Sequence, residues 1–192
     1  MTFIKGEKCE LRVLRDEEAG LFAEAVNAGL TTQHLFTGSI PMRAADYAER
    51  WRAERAAGDI LFAIYVTDTA GKCFHNVERK CPDCATRFIG TCGLHSHRDI
   101  YRSWEARFLI FDPEEVGKGI GKEVVTLLTR YAFTRLNAHR VWLGVSEDNK
   151  RAVKCYLDCG YQFEGRLRDE IFYDGRYHAA LRMAALEDEW KA

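Results

Sequence analysis

The chain of 192 residues is 47% hydrophobic and 30% charged, with 28 Lys and Arg against 29 Asp and Glu for a formal net charge of -1. Length and balance exclude a disordered or fibrous chain and fit one globular domain over residues 1–192 with a true core. The near-neutral charge leaves no electrostatic footprint for nucleic acid, and no apolar run approaches the roughly 20 residues of a membrane span.

The opening "MTFIKGEKCELRVLRDEE" is not a signal peptide. A cytoplasmic setting is therefore expected, in which the seven cysteines read as ligands or core residues rather than disulfides. Within it "KCELRVLR" (8–15) alternates apolar and polar side chains, as a half-buried strand does. "RDEEAGLFAEAVNAG" predicts a helix capped by Asp16 and stopped near Gly29. After the loop "TTQHLFTGSIP" comes "MRAADYAERWRAERAAG", a second helix in which Asp46 and Arg50 form an i,i+4 pair and Gly58 lies past the end. "ILFAIYVTD" and "RFIGTCGLHSH" read as strands, joined by a Cys-rich insert at 70–87 far longer than a hairpin needs.

A long strand, "YRSWEARFLIF", runs into the glycine loop "DPEEVGKGIGKEV". The next helix, "GKEVVTLLTRYAFTRL", carries an apolar stripe of Val124, Leu127, Leu128, Tyr131 and Leu136. "HRVWLGVS" is a strand and "NKRAVKCYLDCG" a helix ending at Gly160. "YQFEGRLRDEIFYDGRYHAALRMAAL" predicts two strands turned at Asp174 and Gly175. The alternation of strands and helices predicts an α/β or α+β sheet with helices on both faces.

Glycines between a strand and a helix free backbone N–H groups to approach an anion at the helix start. Two familiar phosphate loops do not fit. A Walker A loop needs glycine where Val116 stands and Ser or Thr where Glu123 stands. A dinucleotide fingerprint needs G-x-G-x-x-G, whereas Gly117, Gly119 and Gly121 are spaced G-x-G-x-G. The stretch Val116 to Gly121 instead resembles motif A of the GCN-five-related N-acetyltransferases (GNAT), (Q/R)-x-x-G-x-(G/A), with Val116 departing from the usual Gln or Arg. "NKRAVKCYLDCGYQF" is similar to the family's motif B through Asn149, Tyr156, Gly160 and Tyr161, and "MAALEDEW" resembles the ending of the RimJ/RimL-like branch.

The resemblance covers nearly the whole chain apart from the insert. It implies a twisted mixed sheet of about seven strands, splayed in the middle and flanked by about four helices. Acetyl-CoA would lie in the split as co-substrate. Its pyrophosphate would rest on a helix starting near Lys118, against Val116, Gly117, Lys118, Gly119, Ile120, Gly121 and Lys122, and Asn149 would also contact the cofactor. The edge of "RFLIF", up to Ile110 and Phe111, would bind the pantetheine arm as an added strand. The implied activity is acetyl transfer to a primary amine, either a protein N-terminus or a small amine. The alternative is a non-catalytic acyl-CoA-binding or zinc-knuckle module on the same scaffold. A homodimer is compatible with either.

Such transfer needs a neutral amine, a polarised carbonyl and a proton for the departing thiolate. Tyr156 matches the family's thiolate donor; a core-facing helical aromatic is its plain alternative. Glu105 is the candidate base, in the apolar surroundings of "SWEARF". Counting back from the glycines places the family's usual Glu nearer Ala106, an offset that one β-bulge would absorb. A salt-bridged surface role competes for Glu105, and His95 and His97 are alternative bases.

In the insert, Cys81-Pro-Asp-Cys84 has zinc-knuckle spacing, and Cys73 and His75 complete four ligands, with Cys92 in reserve for His75. A structural zinc would staple a loop too poor in apolar residues to order itself. A redox C-x-x-C is the rival reading. Lys72, Arg79, Lys80 and Arg87 give the insert some basic character, offset by Glu78 and Asp83, so nucleic acid is not an expected partner.

Overall fold

The computed structural model describes residues 2–28, 41–67, 86–96 and 99–191. In chain order the strands are Thr2–Lys5 (β1), Glu10–Val13 (β2), Ile60–Thr67 (β3), Thr86–Ser96 (β4), Ser103–Ile110 (β5), Arg140–Ser146 (β6), Gln162–Tyr173 (β7) and Arg176–Leu186 (β8). The helices are Ala19–Asn27 (α1), Ala44–Ala56 (α2), Ile120–Arg135 (α3) and Lys150–Asp158 (α4). All the strands join one mixed sheet in the order β1-β2-β3-β4-β5-β6-β8-β7. The GNAT-type fold expected from the sequence is the fold observed. None of the described helices is long and apolar enough to cross a membrane.

The two faces of the sheet carry different cores. On one, Phe22 and Val26 of α1 and Tyr47 and Trp51 of α2 pack on Leu61, Ala63 and Phe88. On the other, Val124, Leu127 and Leu128 of α3 bury against Ile89, Leu94, Val141 and Leu143, and Tyr156 of α4 joins them. Each large apolar side chain removed from water this way contributes about 1.5–3 kcal/mol. β5 serves both faces, since Trp104, Ala106, Phe108 and Ile110 turn to the α3 side and Leu109 to the α1–α2 side.

The centre of the sheet opens as a wedge. β5 and β6 are parallel neighbours only at Ser103↔Arg140, Trp104↔Val141 and Glu105↔Trp142. Beyond that point β4 keeps β5 paired as far as Ile110, and β8 keeps β6 paired as far as Ser146. The two halves therefore diverge, and the inner backbone edges of both strands face the gap.

Four local expectations are corrected. The sheet has eight strands, because Thr2–Lys5 adds an edge strand held by tertiary contacts, including Phe3 stacked on Phe62 at 5.5 Å. The first helical segment is capped from Arg15, whose backbone N–H donates to Glu18 Oε2 at 2.6 Å, rather than from Asp16. Arg50 pairs forward with Glu54 at 2.9 Å while Asp46 pairs back with Arg43 at 2.8 Å, so the 46–50 pair does not form. The glycine-loop helix begins at Ile120, capped by Gly119, rather than near Lys118.

Candidate active site

Beyond β5 the chain turns through Asp112, whose carboxylate accepts the Glu114 N–H at 2.9 Å. Arg87, buried on β4, pairs with both Asp112 and Glu115 and so ties the loop to the sheet. It is therefore part of the scaffold and is unavailable as a surface cation. Lys118 Nζ sits 3.1 Å from Glu115 Oε2. Gly117 and Gly119 have φ of +85° and +84°, the left-handed region that strains any side chain. The N–H of Glu123 bonds the Gly119 carbonyl at 3.1 Å, which leaves the N–H groups of Ile120, Gly121 and Lys122 at the exposed start of α3. The glycine spacing predicts an anion cradle at this place, and the N–H groups it would use stand at the helix start.

Lys8 of the N-terminal turn and Glu123 of α3 tie that turn to the loop. Lys8 Nζ donates to the Lys118 carbonyl at 2.9 Å and lies 2.7 Å from where a side chain on Gly119 would begin. The Glu123 carboxylate accepts the backbone N–H groups of Glu7, Lys8 and Cys9 at 2.7, 2.9 and 2.9 Å, stapling that turn to the first turn of α3. Burial opposes the charge on Glu123, but the Cys9 thiol and the backbone donors outweigh it and hold its carboxyl below the ordinary value. Burial, then the hydrogen bond to Glu123, pushes the Cys9 thiol up.

Tyr156 sits under the wedge, 7% exposed, with its ring edge-on to Phe108 of β5 at 6.0 Å. Burial raises its phenol well above the ordinary value, so at neutral pH it is a proton donor. Asn149 caps α4, its side chain accepting the Ala152 N–H at 3.1 Å. Trp190 closes the other end of that helix, its indole donating to the Cys159 carbonyl at 2.9 Å.

On the opposite face, between α1, α2 and the sheet, lies a cavity of about 150 Å³ walled by Phe22, Tyr47, Trp51 and Leu109. Arg50, Glu54, His95 and Arg107 supply its polar lining. Glu105 stands at the last β5–β6 pair before the strands part, with Arg107 Nη2 2.7 Å from Glu105 Oε2. That bond, set against burial, raises the Arg107 guanidinium. β5 runs beside β4 from Trp104 to Ile110 with no shift in register, so the bulge that would move a carboxylate to position 106 is absent; Ala106 points into the α3 core. His95 lies directly opposite Glu105 on β4, and its Nδ1 is 2.8 Å from Asp59 Oδ2.

The structure thus gathers the glycine loop, Ile110, Tyr156 and Asn149 around the wedge, and Glu105 and His95 at the apex of its other face. Cys73, His75, Cys81 and Cys84 lie outside the described residues, as does His97. Cys92, the reserve metal ligand, is a core side chain 4% exposed in the same cluster as Cys9. Among the described residues no group of three or more His, Cys, Asp or Glu could hold a metal. Lys8, Asp59 and Glu123 have no motif to announce them; only the "GD" just before a buried strand hinted at a fixed carboxylate at Asp59.

Comparison with known proteins agrees with this geometry. The model of the acetyltransferase (GNAT) domain matches residues 8–162. The spermidine N(1)-acetyltransferase of Vibrio cholerae is 36% identical over 117 residues, 60% of this chain and 67% of that one. The Escherichia coli spermidine N(1)-acetyltransferase is 31% identical over 110 residues, 57% of this chain and 59% of that one. The chain thus aligns with only about three fifths of the latter. The crystal structure of the Vibrio cholerae spermidine N-acetyltransferase with CoA and spermine superposes with a TM-score of 0.77 at 25% identity, covering 96% of this chain and 98% of that one. With a family match over most of its length, on a sheet that parts between β5 and β6, the chain belongs to the GNAT family of acetyltransferases.

Proposed function

We propose that the protein transfers the acetyl group of acetyl-CoA to a small primary amine by direct attack. The observation that carries this reading is the wedge, with a protonated, buried Tyr156 beneath it and the N–H cradle of α3 at its open end. The pyrophosphate would rest on Gly119, Ile120, Gly121 and Lys122, with Lys8 and Lys118 adding charge. Pantetheine would line the free edge of β5 toward Ile110 and Phe111. Tyr156 would hand its proton to the departing thiolate.

The amine would enter from the α1–α2 face. The relatives named for spermidine favour a polyamine. The chemistry of the cavity points to a shorter amine with an apolar body, because Glu54, the carboxylate in its aromatic lining, already holds Arg50 at 2.9 Å. The test is a panel of polyamines, arylalkylamines, amino acids and N-terminal peptides, following thiol release from acetyl-CoA. Turnover of the arylalkylamines above spermidine supports the reading, and release with none of them refutes it.

The zinc reading rests on the spacing of Cys73, His75, Cys81 and Cys84 alone. It predicts about one structural metal per chain, lost in Cys81→Ser, with acetyl-CoA binding retained. Metal analysis of chelator-free protein decides it.

A further inference from the structure

The acetyltransferase reading leaves one proton unassigned. An amine arrives as an ammonium ion and must lose a proton before it can attack. We infer that His95, held by Asp59, is the general base that removes it, and that Glu105 is not.

The inference rests on the proposed activity and on four observations. First, Asp59 is fixed at both oxygens. Oδ1 accepts the Ser96 N–H at 3.0 Å and Oδ2 lies 2.8 Å from His95 Nδ1. The proton of the neutral ring is therefore placed on Nδ1, and the lone pair on Nε2. Second, both side chains are close to buried, at 10% and 13% exposure, yet His95 lines the aromatic cavity. Third, the residue beside the ring is Gly93, and a side chain there would begin 3.4 Å from Nε2. Only glycine fits here, because a side chain would also meet the Ile60 carbonyl at 2.8 Å and Leu61 Cδ2 at 2.9 Å. Fourth, His95 is directly opposite Glu105, which is directly opposite Trp142 at the apex of the wedge. Opposed residues in a sheet project from the same face about 4.5–5.5 Å apart, so the base stands one strand from the point where the thioester carbonyl would lie.

Glu105 occupies the apex itself, but its carboxylate is bonded to the Arg107 guanidinium at 2.7 Å and is not part of the cavity lining. The other charged groups facing the cavity are Arg50 with Glu54, and Arg107. Asp59, bonded to Nδ1, is the group placed to support the charge that the ring would take up during turnover.

The protons then balance. The ammonium gives one proton to His95 Nε2, and the imidazolium formed is stabilised by Asp59. The free amine attacks the thioester carbonyl, the C–S bond breaks, and the thiolate takes the Tyr156 proton. The second proton leaving the new amide nitrogen restores Tyr156 through solvent. His95 releases its proton to water, which accounts for the net proton of the reaction.

The test compares His95→Gln and Asp59→Asn with the unmodified protein through the pH profile of kcat/KM for an alkylamine acceptor, with acetyl-CoA affinity followed by calorimetry. His95→Gln should lose about 100-fold in kcat/KM. Its acid limb should move to the amine's own pKa, while acetyl-CoA affinity stays within about twofold of wild type. Asp59→Asn should lose at least about tenfold and shift the same limb, because an amide can donate to Nδ1 and favours the wrong tautomer. If His95→Gln keeps the wild-type profile, or if it does not fold and Asp59→Asn keeps that profile, His95 is not the base. Absence of turnover in the unmodified protein, with acetyl-CoA bound, would overturn the transfer reading and this base with it.

Discussion

At the scale of single residues, the chemistry turns on side chains whose environments pull them away from ordinary behaviour. Burial keeps the Tyr156 phenol protonated, which in the proposed transfer suits it to donate to the departing thiolate. Tyr156→Phe is therefore expected to lower kcat by about tenfold or more while leaving acetyl-CoA affinity unchanged. Single-turnover kinetics beside calorimetry separate the two effects. Gly119 is constrained twice, by φ of +84° and by Lys8 Nζ at 2.7 Å from its missing side chain. Gly119→Val should strain the loop and expel Lys8 together, raising the acetyl-CoA Kd by more than about tenfold for a loss of about 1.4 kcal/mol. The places of the glycines in the loop and of Tyr156 on its helix were legible in sequence, because a positive φ favours glycine and the helix has a clear cap and stop. Lys8 and Asp59 were not, since their partners lie 110 and 36 residues away and the side chains themselves are commonplace. Glu105 was half legible: its place at the apex follows from the strand, but its guanidinium partner two residues along shows only in the folded rotamers.

Among the elements, α3 organises the site, and Glu123 in its first turn is the joint. A carboxylate there favours the helix dipole and also accepts three backbone donors from the N-terminal turn. Because its carboxyl is held below the ordinary value in the folded state, its stabilisation is complete at neutral pH. It is lost as pH falls through the folded-state pKa. Glu123→Gln should therefore be less stable than wild type at neutral pH by about 1 kcal/mol, the low end for bonds to a charged group because the side chain is half-exposed. The difference should shrink in acid, which urea titrations at several pH values will show. The helices were read to within a few residues from apolar spacing and caps, and the last hairpin from its Asp-Gly turn. β1 escaped notice because four residues carry too little periodicity; it is ordered by Phe3 against Phe62 and Tyr131.

For the whole molecule, the wedge means that the two halves of the sheet share only three residue pairs at their seam. A cofactor lying in the gap would bridge them. Acetyl-CoA at 100 times its Kd should raise the unfolding free energy by about 2.7 kcal/mol, read as an upward shift in Tm that dephosphorylated pantetheine does not match. That the sheet must open was implied by family resemblance and was not derivable from hydrophobic pattern, since strand periodicity reports burial and is silent on which neighbours part. Which side chains line the cavity on the α1–α2 face was likewise not readable, because they come from segments that lie far apart in the chain. The staple at Glu123 joins the start of the chain to this bridge. The amides of Glu7, Lys8 and Cys9 open only when their bonds to the first turn of α3 break, although Glu7 and Glu123 are 116 positions apart. Any ligand that holds α3 closed must slow their exchange with deuterated solvent. With acetyl-CoA on α3 as proposed, the N-terminal hairpin would serve as a built-in gauge of cofactor occupancy, legible amide by amide without a label at the site itself.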